Sequence, residues 1–151
     1  MIVIRLAQTA DIPYLVTLLS ALFTLEGDFV VDADKQTRGL KLLLETDTAG
    51  VWVADDLQTL QVVGMCSMQT LISTAEGERV GLLEDLIVAT AFRQQGIATQ
   101  LLAQVVHWAE ERGLTRLQLL ADKHNQSALD FYAGQGWQAT QLIALRLGLN
   151  H

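Results

Sequence analysis

Hydrophobic and polar positions recur along this chain at two different periods, and the switches between them mark its elements. Residues 2–6 form a short apolar run, the pattern of a first strand. Leu15, Leu18, Leu19 and Leu22 then recur at helical spacing. Thr9 or Asp11 can cap that helix, and Pro13 is tolerated in its first turn. Residues 24–34 (TLEGDFVVDAD) hold no period, with Gly27 as a breaker. Leu40, Leu43 and Leu44 mark a second helix through Glu45, capped by Asp32 or Asp34. Residues 50–54 and 62–71 predict two strands, with 55–58 (DDLQ) as the hairpin turn between them. Glu76-Gly77-Glu78 makes the next reversal.

Residues 82–88 read as a central strand, apolar except at Glu84 and Asp85. Helical spacing returns at Ile97, Leu101, Leu102, Val105, Val106, Trp108 and Ala109, and ends near Arg112 with Gly113 as a left-handed cap. Residues 115–120 predict another strand, and Asn125 caps a short helix through Ala133 that Gly134 and Gly136 end. Residues 137–147 predict a closing strand, long and apolar enough to suit a homodimer contact as well as a sheet edge. The order β-α-α-β-β-β-α-β-α-β places hairpins first and βα crossovers later. A mixed sheet flanked by helices follows, of the α+β (mixed α/β) class.

Composition changes this picture only by exclusion. A length of 151 residues suits one domain, 1–151, with a real core. No apolar run is long enough to span a bilayer, and the N-terminus lacks the basic start and apolar centre of a signal peptide, so no membrane role and a cytoplasmic location are expected. A net charge of −7 argues against nucleic acid and is compatible with a cationic substrate such as an amine. The single cysteine, Cys66, excludes an internal disulfide or a cysteine-based zinc cluster, and its apolar strand predicts a buried, inert thiol. His107, His124 and His151 form no constellation, and no metal is expected.

Candidate chemistry concentrates where the central strand feeds the long helix through Arg93-Gln94-Gln95-Gly96-Ile97-Ala98. A helix start leaves several N–H groups unpaired, and the helix dipole adds partial positive charge there. Low bulk at Gly96 and Ala98 lets a phosphate or pyrophosphate approach the backbone. A plain strand–turn–helix unit has the same pattern, so this stretch alone leaves both readings open.

The element order and two motifs resemble the GNAT superfamily of acyl-CoA-dependent N-acetyltransferases. The first motif is Arg93-x-x-Gly96-x-Ala98; the second is Asn125, Ala128, Phe131-Tyr132 and Gly136-Trp137. The resemblance implies a GNAT fold: a central, mostly antiparallel mixed sheet in which the central strand splays from residues 115–120 to admit acetyl-CoA. It places the pantetheine arm along Leu86, Ile87 and Val88, and the pyrophosphate on Arg93, Gln94, Gln95, Gly96, Ile97, Ala98 and Thr99. Asn125 and Ala128 would meet the cofactor arm, although Asn125 is equally a good helix cap. Tyr132 would be the general acid that protonates the leaving thiolate. Tyr132 and Phe131 point about 100° apart on a helix, so one belongs in the core and the other elsewhere.

The Leu-Glu-Asp pattern before the turn resembles GNATs acting on small amines. By that likeness Glu84 faces the substrate ammonium and takes or binds its proton, while Asp85 holds a loop or helix end. Strand neighbours face opposite sides, so only one of the two should reach the acceptor; the alternative reading makes both structural. Glu26, Asp28 and Phe29 form either a solvated loop or an acidic lip with an aromatic floor for the amine. Three features depart from the family pattern: Ala89-Thr90-Ala91 replaces a proline-containing link, Gln94 and Gln95 stand where a basic residue is frequent, and Trp137 replaces Phe. The expected reaction is transfer of acetyl from acetyl-CoA to a small-molecule primary amine in a ternary complex. The alternatives are acetylation of a protein α-amine or lysine, and an acyl-CoA sensor that does not catalyse.

Overall fold

The computed structural model describes residues 1–26 and 30–149, which fall into two compact units divided between Leu119 and Leu120. The first unit contains the strands β1 (Ile2–Leu6), β2 (Ala49–Asp56), β3 (Gln61–Ser73), β4 (Glu78–Val88) and β5 (Leu117–Leu119), and the helices α1 (Ile12–Glu26), α2 (Ala33–Leu44) and α3 (Ile97–Glu111). The strands form one sheet in chain order. Its first three pairings are antiparallel, and β4 and β5 are parallel because α3 crosses between them.

The two faces of the sheet are covered differently. Ile12, Leu15, Leu18 and Leu19 of α1 and Leu40 of α2 pack with Val51, Val53, Met65 and Ile87 of the strands. Trp52, between Val51 and Val53, alternates to the opposite face, where its ring meets Trp108 of α3 edge-on with centroids 5.3 Å apart. A methyl group at Gly50 would collide with the Trp52 ring, so that packing demands a glycine two residues before it. The Arg112 guanidinium lies 3.8 Å from the Trp108 ring centroid and covers its outer side.

Capping follows the sequence closely in two places. The Asp32 carboxylate accepts hydrogen bonds from Asp34 N and Lys35 N and starts α2. Gly113, with φ +72°, follows the last turn of α3 in the left-handed region that favours glycine. Asp11 behaves otherwise. A short 3-10 turn, Thr9–Asp11, precedes α1, and the buried Asp11 carboxylate faces back toward β1. It accepts from Arg5 Nη1 and Nη2 at 2.9 and 3.0 Å and from Gln8 N at 2.7 Å. Arg5 Nε also donates to Asp55 at 3.1 Å.

The turn expected at 55–58 lies later. Pairing of β2 with β1 draws Asp55 and Asp56 into the strand, and residues 57–60 make the reversal. Asp56 then caps that turn, accepting from Gln58 N and Thr59 Oγ1. The parallel strand is also shorter than the expected 115–120.

In the second unit, α4 (Gln126–Gly134) is the regular element, with Gly136 just beyond it at φ +94°. The closing strand expected over 137–147 is not formed. Residues 138–149 pair with nothing as a ladder, and Leu142, Ile143, Leu145, Leu147 and Leu149 are exposed. Apolar content gives strand propensity, but a strand exists only through its partner, which this stretch lacks.

The Arg5–Asp11 pair ties the first strand to the first helix. Arg5 holds the Asp11 carboxyl below its usual range, against the opposing effect of burial. Its contribution is therefore present above the unfolded carboxyl pKa of about 4 and is lost as pH falls through the lower folded value. Asp11→Asn is expected to lower Tm by about 5 °C at pH 7. Thermal melts across pH should show that difference shrinking below about pH 4.

Candidate functional site

Strand β4 is irregular where its polar residues lie. Ser67 of β3 pairs with Glu84, and Met65 pairs with Ile87. Cys66 alone on β3 therefore opposes both Asp85 and Leu86, which is a β-bulge on β4. Asp85 has φ +57°, in the left-handed region, where aspartate is one of the better tolerated non-glycine residues. Strict alternation is broken between Asp85 and Leu86, the two residues that share one partner. The Ser67 hydroxyl, whose residue pairs with Glu84, also lies 3.2 Å from Asp85 Oδ2. The same Oγ is 3.2 Å from the Glu84 carbonyl. Asp85, expected to hold a loop or helix end, thus meets the neighbouring strand. Glu84 is exposed.

The parallel ladder pairs Gly81 with Leu117, Leu82 with Gln118 and Leu83 with Leu119, and β5 then ends. Strand β4 continues to Val88, so residues 84–88 have a β3 neighbour but no β5 neighbour. The side chains of Ile87 and Val88 are buried and that of Leu86 is half-buried. A gap beside an extended backbone is a place where a ligand can pair as an added strand.

Beyond Val88 the chain turns through a 3-10 segment, Thr90–Phe92. Arg93 Nε donates to the Val88 carbonyl at 3.1 Å, tying the turn to the strand end. Gln94 and Gly96 have φ +62° and +79°. This backbone starts α3 at Ile97 with no side-chain cap, and the first helical hydrogen bond runs from Gln100 N to Gly96 O. Arg93, Gln94, Gln95, Gly96 and Thr99 are exposed, Ala98 is half-buried, and Ile97 anchors the turn in the core. A side-chain carbon added at Gly96 would meet no atom within 4 Å, so the backbone there faces open space. The start of a fifteen-residue helix with no side-chain cap, among exposed residues, favours an anion.

In the second unit, Asn125 caps α4, its side-chain oxygen accepting from Ala128 N at 3.1 Å. That leaves its amide NH2 as the donating end. Tyr132 is half-buried between two rings, with centroids 5.4 Å from Phe131 and 5.9 Å from Trp137. Phe131 and Tyr132 are thus edge-on neighbours within one aromatic cluster, both half-buried.

The structure brings Glu84, Leu86, Ile87, Val88 and the 93–99 turn onto one continuous strand–turn–helix. Asp28 and Phe29 lie outside the described residues, and Glu26 is described only as the last residue of α1. His107 pairs with Glu111 one turn along α3. No cluster of three or more metal-ligating side chains occurs among the described residues, and none of their helices is long and apolar enough to cross a membrane. A concavity lined by Ile72, Ser73, Thr74, Gly77, Glu78 and Arg79 lies at the other end of β4, away from Glu84. Cys66 is fully buried, and burial first, then the Asp85 charge, pushes its thiol pKa up. Ser67 was not singled out by the sequence; a small hydroxyl between Cys66 and Met68 in an apolar stretch was the available signal.

Comparison with known proteins fits this geometry. A curated N-acetyltransferase from Archaeoglobus fulgidus, itself described as uncharacterized, is 33% identical over 96 residues, covering 63% of this chain and 64% of that protein. The chain spans 30–64% of the length of three such relatives. A crystal structure titled as a transcriptional regulator from Bacillus halodurans superposes with a TM-score of 0.85 at 25% identity, covering 99% of this chain and 100% of the other. An aminoglycoside acetyltransferase from an uncultured soil metagenomic sample, in complex with trehalose, gives 0.79 at 25% identity over 99% and 97%. The model of the acetyltransferase (GNAT) family matches residues 15–137. That match takes in the β4 gap, the uncapped α3 start and the Asn125–Trp137 motif together, and the chain belongs to the acetyltransferase (GNAT) family, whose acyl donor is acetyl-CoA.

Proposed function

We propose that this protein transfers the acetyl group of acetyl-CoA to a primary amine of a small molecule by direct attack. The observation that carries this reading is the end of the β4–β5 ladder at Leu83 and Leu119, directly before the open turn that starts α3. The pantetheine arm lies along 86–88 and pairs with backbone that β5 leaves unpaired. The pyrophosphate rests on N–H groups between Gln94 and Thr99, with Arg93 as the cation of that turn. The family match spans both compact units, which supports one GNAT domain over 1–151.

In the reaction, the exposed Glu84 carboxylate binds the substrate ammonium and takes up its proton. The neutral amine attacks the thioester carbonyl. Backbone N–H groups of β4 at the bulge stabilise the oxyanion, since a bulge frees a residue from the ladder. Collapse of the tetrahedral intermediate expels the CoA thiolate, and Tyr132 supplies the proton it takes. Asn125 donates its amide to the cofactor arm, and Ala128 leaves room for it. Glu26, Asp28 and Phe29 contribute to the acceptor side. The acidic chain and its similarity to an aminoglycoside acetyltransferase support a small cationic acceptor. A second reading, an acyl-CoA sensor without turnover, draws on the structural neighbour titled a transcriptional regulator. Glu84 and Tyr132 favour catalysis.

A mass-spectrometric screen of small amines with acetyl-CoA tests the reaction, and cofactor binding without any acetylated product would favour the sensor. With an accepted amine, Tyr132→Phe is expected to lower kcat about 100-fold with acetyl-CoA affinity retained. Unchanged turnover would remove the acid role. Glu84→Gln should raise the KM for the amine and shift the rate profile to higher pH, because solvent must then remove the proton. Gly96→Ala puts a side chain at φ +79°, costing about 1–2 kcal/mol, and should lower Tm by about 4 °C. Calorimetry should show weaker acetyl-CoA binding in the same variant, because the added carbon stands in the space facing the ligand.

A further inference from the structure

The most unusual backbone among the described residues of β4 is held by a side chain that the reaction above does not use. Ser67 is 2% exposed, yet it is a hydroxyl in a strand otherwise lined by Met65, Cys66 and Met68. An apolar residue of that size would cost nothing to bury, whereas a hydroxyl without partners is costly. The single O–H of Ser67 lies within reach of two acceptors, the Glu84 carbonyl and the Asp85 carboxylate, each at 3.2 Å, and is shared between them. Those two residues are the entry to the bulge, and Asp85 carries its left-handed φ of +57°. Such a conformation costs a non-glycine residue free energy and persists where its surroundings fix it. One hydroxyl that touches the backbone before the strained residue and the side chain on it is placed to fix both.

Resting on the acetyl-transfer reading, we propose that Ser67 is a positioning residue: its hydroxyl holds Glu84 and Asp85 where the Asp85–Leu86 bulge begins, and so aims the Glu84 carboxylate and the backbone N–H groups beside it at the reacting centre. Ser67 does not touch substrate. It acts through the geometry of the two residues it holds. The cofactor seat at 93–99 lies beyond the strand end and is built without it, so binding of acetyl-CoA and the rate of transfer separate.

The test is a set of variants with an accepted amine: Ser67→Ala, Ser67→Thr, Asp85→Gly and the double variant Ser67→Ala/Asp85→Gly. Each is measured for kcat, KM of the amine, acetyl-CoA affinity by calorimetry, and Tm. Ser67→Ala is expected to lose about tenfold in kcat, with acetyl-CoA affinity within twofold of wild type. Ser67→Thr keeps the hydroxyl and should recover most of the rate. Glycine adopts the left-handed conformation without strain. In the Asp85→Gly background the Ser67→Ala change should therefore cost less than twofold, the non-additivity expected of two residues acting as one unit. Equal losses in the alanine and threonine variants, or the same tenfold cost in both backgrounds, would overturn the assignment, as would full activity of Ser67→Ala. A purely structural serine would lower Tm and the active fraction without this dependence on residue 85. A wild-type protein that binds acetyl-CoA but acetylates no amine would overturn the transfer reading and this assignment with it, whereas an active wild type with an equally active Ser67→Ala variant overturns Ser67 alone.

Discussion

Strand β4 is paired on both sides over its first half and on one side over its second. This asymmetry is the constraint from which the site follows. The three-residue parallel ladder with β5 secures the strand in the sheet. Past Leu83 the strand keeps only β3 as a partner, and the backbone on its other side needs another. The core makes this arrangement affordable. Ile87 is packed under α1 and α2, and Ile97 fixes the start of α3, so the half-paired segment is bounded by buried residues at both ends. An open edge between two anchors stays in place without collapsing to satisfy itself.

The bulge adds a second departure from regularity on the same strand, and the two are spatially linked. Residues 84–86 come directly after the last β5 pairing. A regular strand would present one side chain per face in turn. Where the bulge begins, the Asp85 carboxylate comes within reach of the same serine that pairs with Glu84, while Met65 and Ile87 resume the normal register beyond it. The energetic cost at Asp85 is local, and the packed sheet on either side holds it in place.

How much of this was legible in the sequence differs by the kind of information each feature needs. The helices were readable because Leu15, Leu18 and Leu19 repeat on one face of α1 and Leu40, Leu43 and Leu44 on one face of α2, and because Asp32 and Gly113 carry their own local chemistry. The turn at 93–96 was readable as a turn because a glycine stands between an apolar strand and an apolar helix, while its use as a ligand seat needed the second motif at 125–137. The bulge was not, since pairing register is a property of two strands, and Glu84-Asp85 looks in sequence like two ordinary alternating positions. The 57–60 turn was misplaced for the same reason: Asp55 is strand because Arg5 and the β1 ladder make it so. Residues 137–147 show the converse, a strand-like composition with no ladder to complete it.

Cys66 occupies the position directly across from the bulge. A protein that works on thioesters is exposed to a side reaction in which any accessible thiolate captures the acyl group and becomes a dead-end thioester itself. Here the single thiol of the chain is closed off from solvent, with the Asp85 carboxylate near enough to disfavour its ionisation further. Burial first, and then the charge of the aspartate that takes the left-handed backbone of β4, hold that thiol in its protonated, unreactive form, so the packing around the bulge also guards against self-acylation.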